Sequence, residues 1–439
     1  MIGTGISGLG AAYALSKGHE VELFERDDRA GGHSNTVEHV AAGRTLRLDT
    51  GFIVHNEETY PNLVRLFREL GVRTQPSEMS FSVACQRHDL EYSGGRPPLT
   101  RLTLEIARFL HLGRRALDDP RCADWSLARY VAEEGYSPRF RDHFLVPLCA
   151  ALWSTAPSRT LDFPLVYAVR FFANHGLLGF RRLRWKTVTG GSQSYVRALE
   201  ERLQIHRSTE VRSIRRLADG IELRLAGDEL RRFDGVVVAT HADQALRLLP
   251  DANGDERRLL GAFAYSRNRA VLHGDAALMP RRRAVWSSWN YGADRRRPDA
   301  LCVTYWMNRL QAIDDRRPLF LTLNPSREPR AELVHRTEVY EHPLFDANAI
   351  RAQNDLWSLQ GRRRTWFCGA YFGAGFHEDG LQAGLAVAEA IGGVRRPWSV
   401  ARESSRIRVH GTPARRPGVG GMSAASAAAA SSAASVAAE

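Results

Sequence analysis

Gly3-Thr4-Gly5-Ile6-Ser7-Gly8-Leu9 opens the chain almost at once and runs into the apolar stretch Leu9 to Ser16, which Gly18 closes. This is the pattern of a glycine-rich turn leading into a helix. Such a turn ordinarily follows a buried strand, yet only Met1 and Ile2 precede it. Glu20-Val21-Glu22-Leu23-Phe24-Glu25 reads as the next strand, so the turn, helix and second strand of a βαβ unit are present while the first strand is cut to two residues. We therefore expect the native start codon to lie upstream, and a chain beginning at Met1 to risk losing central sheet hydrogen bonds.

The glycines have separate tasks. Gly3 allows the tight turn, Gly5 lets backbone approach a pyrophosphate, and Gly8 permits close packing of helix on strand, while Ile6 and Ser7 present helix N-terminal amides to phosphate. Glu25, at the end of its strand, can accept both ribose hydroxyls of an adenosine and repel a 2′-phosphate. After Arg26 comes a second glycine pair, Gly31-Gly32, followed by His33.

The remaining composition narrows the class. The 439 residues are 44% hydrophobic and 25% charged, which excludes wholesale disorder and fibrous or disulfide-scaffold chains. The longest apolar stretch, Phe144 to Trp153, is about half the ~20 residues of a membrane-spanning helix. Cys85, Cys122, Cys149, Cys302 and Cys368 form no CxxC pair, so a reduced, cytoplasmic protein without metal is expected. The net charge is +12, but it comes from arginines in short dispersed clusters, with Lys17 and Lys186 the only lysines. No basic-aromatic module accompanies them, so nucleic acid is not an expected partner. Peripheral contact with an anionic membrane face suits scattered arginine better.

The glycine motif, the strand ending in Glu25 and the Gly31-Gly32 pair together resemble the FAD-binding signature of the flavin amine oxidase, protoporphyrinogen oxidase and phytoene desaturase superfamily. Further stretches are similar to that family. Asp49-Thr50-Gly51-Phe52 resembles its turn beside the flavin, and Gly190-Gly191-Ser192 the loop opening a later helix. Val211 matches the backbone position facing the adenine, and Val236-Val237-Val238-Ala239 the buried strand before a small-residue turn. Gly369, Ala370 and Tyr371, with Gly380, Leu381 and Gln382, resemble the last motif, where a helix end faces the flavin. The resemblance implies noncovalent FAD and a Rossmann-like α/β domain built from residues 1–84, 185–247 and 361–395. An α+β substrate domain would comprise residues 85–184 and 248–360, and residues 405–439 read as a disordered tail.

More narrowly, the stretches Thr50 to Asn62 and Gly375 to Gly380 resemble a bacterial subgroup of NAD/FAD-binding oxidoreductases. Its genes commonly lie near cyclopropane-fatty-acyl-phospholipid-synthase-like methyltransferases, which implies a lipid substrate. Two departures from the family matter. Many amine oxidases place a lysine near flavin N5, whereas Ala270 to Asn290 holds His273, Asp275, Trp286 and Trp289 instead. His33 also stands where many relatives carry arginine, leaving a phosphate contact to Arg29.

The expected activity is hydride transfer from a C–H bond of an apolar or lipid substrate to FAD, with an unspecified electron acceptor. His55 and His377 are the candidate bases, because imidazole titrates near neutrality. Tyr305, Trp306, Asn308 and Tyr371 are candidate walls of the substrate pocket. An amine oxidase working without the lysine and a non-catalytic binding protein of the same fold, like the prenylated-GTPase chaperones, are the alternatives.

Overall fold

Ile2 is the hinge of the parallel sheet. The strand Gln204–His206 pairs with Glu22–Phe24, and Val236–Val238 pairs with Thr365–Phe367. Ile2 bridges Phe24 on one side and Val238 on the other, joining the two pairs into one layer. Its amide donates to Val237 O at 2.9 Å, Gly3 N donates to Phe24 O at 2.9 Å, and Ala239 N donates back to Ile2 O at 2.8 Å. The first strand is thus one bridging residue, yet it occupies the central position that the glycine turn requires. The computed structural model describes residues 1–41, 43–98, 100–178, 183–297, 299–314 and 316–409.

The helix Ile6–Leu15 connects Ile2 to Glu22–Phe24 and is buried nearly all round, as its alanines, glycines and leucines allow. A Cβ on Gly8 would lie 2.1 Å from Gly3 O, so the third glycine is fixed by the closeness of helix and turn. The last helix, His377–Ile391, packs on this one and is buried over most of its length. Its first-turn Glu378 caps a third helix, Pro61–Glu69, accepting from Asn62 N at 3.1 Å and Leu63 N at 3.0 Å.

A second layer is a seven-stranded sheet in the order Val334–Pro343, Tyr265–His273, Phe320–Leu323, Val303–Trp306, Trp289–Ala293, Phe81–Cys85 and Leu90–Ser93. All its pairings are antiparallel except Trp289–Ala293 with Phe81–Cys85. The boundary expected after residue 84 therefore falls inside a strand, and the whole hairpin from Phe81 belongs with the second sheet. Helices Arg101–Leu112, Leu127–Glu133, Val146–Trp153 and Leu165–Asn174 form an aromatic-rich layer beside it.

The expected tail from 405 needs correction at its start. The Arg406 side chain, 10% exposed, lies against Asp379 at 3.4 Å and donates to Thr59 O, and Ile407 is buried. Buried Asp379 requires that cation, which holds the chain down there. Residues 410–439 lie outside the described residues. Among the described residues, no helix is long and apolar enough to cross a membrane.

Candidate active site

A cavity of about 1,570 Å³ runs between the two sheets. That exceeds the ~300–1,000 Å³ usual for a small-molecule pocket, leaving room for a dinucleotide and a substrate together. One wall comes from the parallel layer: Gly3, Gly5, Ile6, Ser7, Glu25, Arg26, Gly32, His33, Thr50, Gly51, Phe52, Val211, Ala239, Gly369 and Ala370 all line it. The other carries Trp153, Phe171, Trp289, Tyr305 and Tyr340 from the second sheet and the helical layer.

The glycine end is held rigidly. Glu25 accepts from Thr4 N at 3.1 Å and Thr4 Oγ1 at 2.5 Å through one oxygen, and from Asp27 N at 3.1 Å through the other. Arg29 Nη1 donates to Gly32 O at 2.8 Å and so positions the second glycine loop. Gly31 stands behind the cavity wall, its amide donating to Thr4 O at 3.1 Å. Asp49 joins two more loops by accepting from Ser192 N and Ser192 Oγ, both at 2.8 Å. Burial pushes the Asp49 carboxyl up to about 6.

Beyond the glycines lies a set of neutral imidazoles. The His33 ring sits 5.1 Å from Tyr340, 5.4 Å from His342 and 6.4 Å from His241. Burial, then the neighbouring histidines, holds His33 well below its ordinary pKa, and burial lowers His342 to about 4. His377 stacks on Phe52 at 3.9 Å, and its Nε2 meets Tyr195 OH at 2.8 Å and Ser34 Oγ at 3.1 Å. Burial lowers His377 to about 3, which favours the neutral imidazole, whose Nε2 shares a hydrogen bond with Tyr195 OH.

Several expected residues stand elsewhere. Gly8, Gly380 and Leu381 serve helix packing: a Cβ on Gly380 would meet Ser7 Oγ at 2.8 Å, and Leu381 lies against Gly10. Gln382 donates to Glu378 at 3.0 Å and accepts from Arg406 N at 3.1 Å. His55 is buried off the cavity against Phe67, with ring centroids 5.2 Å apart, because neighbouring Val54 takes the cavity face of their shared strand. Trp306 likewise turns away from Tyr305 and packs against Trp286 at 5.4 Å and with Phe320. Asn308 braces a loop, donating to Asp314 O at 2.7 Å and accepting from Leu319 N at 2.7 Å. Tyr305 and Tyr371 do line the cavity. Thr4, Tyr340, His241 and His342 were missed. Thr4 lies inside the glycine motif and His241 only two residues past Ala239, but Tyr340 and His342 reach the cavity only through pairing of distant strands.

The lining fits FAD. A Cβ on Gly5 would meet no protein atom and would project into cavity space, leaving room for close backbone approach by a ligand. His33 Nε2, His175 Nε2, Trp289 Nε1 and Tyr371 OH line the cavity, buried and without protein partners, as groups awaiting a polar ligand do. A parallel glycine-turn domain joined to a second sheet across such a cavity defines an FAD-dependent oxidoreductase. The chain belongs to the flavin containing amine oxidoreductase family, whose model matches residues 6–265.

Solved structures share the fold. Cyclohexylamine oxidase from Brevibacterium oxydans IH-35A is 18% identical, with 88% of this chain and 98% of that one covered, at a TM-score of 0.67. Putrescine oxidase bound to putrescine is 18% identical over 89% of this chain and 97% of its own, at 0.66. A CLA-producing fatty acid isomerase from P. acnes is 16% identical over 87% and 96%, at 0.65. Among curated proteins, none matches this sequence.

Proposed function

We propose that this FAD-dependent oxidoreductase dehydrogenates an uncharged, apolar substrate of the lipid or acyl-chain class. The observation that carries the reading is the character of the far wall. Ala151–Ser154, Phe171, His175, Leu177, Trp185, Trp289 and Tyr305 bring aromatic and aliphatic surface, and the second-sheet carboxylates that line the cavity already have partners, Glu338 in Arg336 at 2.7 Å and Glu341 in His241 at 3.5 Å. Neither lysine of the chain lines the cavity, and Lys186 is paired with Glu57 at 2.6 Å.

FAD supplies the hydride-accepting chemistry when bound, with Glu25, the Gly3–Ser7 turn, Val211 and the Gly369–Ala370 turn as its holding residues. The aromatic wall excludes water and orients the substrate chain. His377 acts as a positioning residue, since its Nε2 is engaged by Tyr195 while its ring face supports Phe52 at the cavity. We also propose that FAD is noncovalent. Cys368, whose thiol burial pushes up to about 12, does not line the cavity.

Anaerobic mixing of the flavin-loaded enzyme with acyl lipids, putrescine or cyclohexylamine tests the reading. Bleaching of flavin absorbance by lipids and not by the amines is expected. Bleaching by amines alone would overturn it in favour of an amine oxidase. His377→Gln, by loosening Phe52 at the cavity, should slow bleaching about tenfold or more, whereas His55→Gln should leave it unchanged.

A further inference from the structure

Away from the cavity, the edge hairpin of the seven-stranded sheet meets the helical layer at three metal-ligating side chains. Cys85 ends the strand Phe81–Cys85, and His88 sits three residues on, in the turn leading to Leu90–Ser93. His143 comes from the other side, inside the π-helical turn Arg141–Leu145 that enters the helix Val146–Trp153. The thiol and one nitrogen of each ring all lie within 4.8 Å of one another. Cys85 Sγ is 3.6 Å from His88 Nδ1, and the two imidazoles are 4.8 Å apart between centroids, nearly perpendicular at 81°. None of the three lines the flavin cavity.

The chemistry of this set is specific. One thiolate and two neutral imidazoles are borderline-soft donors that suit zinc. A tetrahedral zinc with Zn–S of about 2.3 Å and Zn–N of about 2.0–2.1 Å separates sulfur from nitrogen by about 3.6 Å. The Cys85–His88 pair already stands at that spacing, and closing His143 onto them needs only rotamer-scale adjustment. His143 is also braced: Tyr92 OH donates to its carbonyl at 2.6 Å, fixing the π-turn against the hairpin. A single-turn π element in an otherwise α-helical stretch is a common mark of a functional position. The absence of a CxxC pair had pointed away from metal, but C-x-x-H at a hairpin supplies the same local half-site, completed by a distant helix.

We propose that Cys85, His88 and His143 bind one zinc ion, with water as fourth ligand and the Cys85 proton released to solvent on binding. The ion would clip the sheet edge to the helix whose end, Ala151–Ser154, forms part of the cavity wall.

Tag-free, flavin-loaded protein is stripped with chelator, dialysed and titrated with zinc chloride, following bound metal and melting temperature, and in parallel with cobalt chloride, following absorbance. One zinc per chain, a melting temperature that rises with zinc, and a cobalt–thiolate charge-transfer band are expected. His88→Gln, at an exposed position, should fold with its full flavin complement yet bind zinc tenfold or more weakly, and Cys85→Ser should lose the cobalt band. Wild-type protein without that band, or zinc content and melting response unchanged in both variants, would overturn the proposal and leave the cluster as ring packing with an S–H···N contact.

Discussion

Glu25 shows how a single carboxylate is prepared for a ligand. Both of its oxygens are fixed by Thr4 and Asp27, and the side chain is almost buried at the cavity edge, so no rotamer search remains when a ribose arrives. Glu25→Gln keeps the size but turns an acceptor toward the Thr4 and Asp27 amides into a donor. Charge-assisted hydrogen bonds are worth about 1.5–3 kcal/mol, so FAD should bind at least tenfold more weakly. Quenching of flavin fluorescence on titration into apoprotein measures this, and unchanged affinity would remove Glu25 from the cofactor site. His33 illustrates the opposite case, a residue whose type was legible but whose company was not. Its neighbours Tyr340 and His342 alternate along Val334–Pro343, and only the pairing of that strand with Tyr265–His273 sets them over the glycine loop.

The last helix is an element stabilised at its start by charge. Glu378 and Asp379 are both buried in its first turn, and Arg406, its side chain largely covered, is the cation that faces them. Burial raises both carboxyls while Arg406 pulls them down, so removing the arginine leaves uncompensated buried acids. Arg406→Met should cost about 3–5 kcal/mol, seen as a large fall in denaturation midpoint with the flavin complement measured alongside. A midpoint within error of wild type would mean that the Arg406 cation contributes nothing to holding the buried acids of this helix. Legibility in the sequence followed range. The glycine turn, its helix, Glu25 and the buried Val236–Val238 strand are local patterns, and all fall where their chemistry places them. Misreadings arose where a side chain's face decides. Tyr305 and Val54 take the cavity face of their strands, so Trp306 and His55, one residue on, point away from it. Which parity faces the cavity depends on cross-sheet packing that no window of a few residues contains. The Phe81–Cys85 strand is a similar case, because its partner Trp289–Ala293 lies far along the chain.

Many imidazoles are buried in low dielectric, His33, His175, His342 and His377 at the cavity and His55 and His273 away from it, and this gives the whole molecule a pH signature. Burial lowers His377 to about 3 and His55, His273 and His342 to about 4, and takes His33 and His175 well below the usual value. In the unfolded chain each would titrate near 6.5. Between pH 6.5 and about 4 the unfolded state therefore binds protons that the folded state refuses, and stability falls with pH by up to about 1.4 kcal/mol per unit for each such group. Asp49 acts in the other direction. Its folded pKa of about 6 exceeds the unfolded value, so its protonation restores stability as pH falls from 6 toward 4, and raised Glu378 and Asp379 do the same. Six imidazoles outweigh three carboxyls. The melting temperature, followed with saturating FAD at constant ionic strength, should accordingly fall steadily from pH 7 to pH 5. A flat or rising profile would mean that these histidines carry protons in the folded protein, and the neutral state of His33, His175, His342 and His377 at the cavity would have to be abandoned.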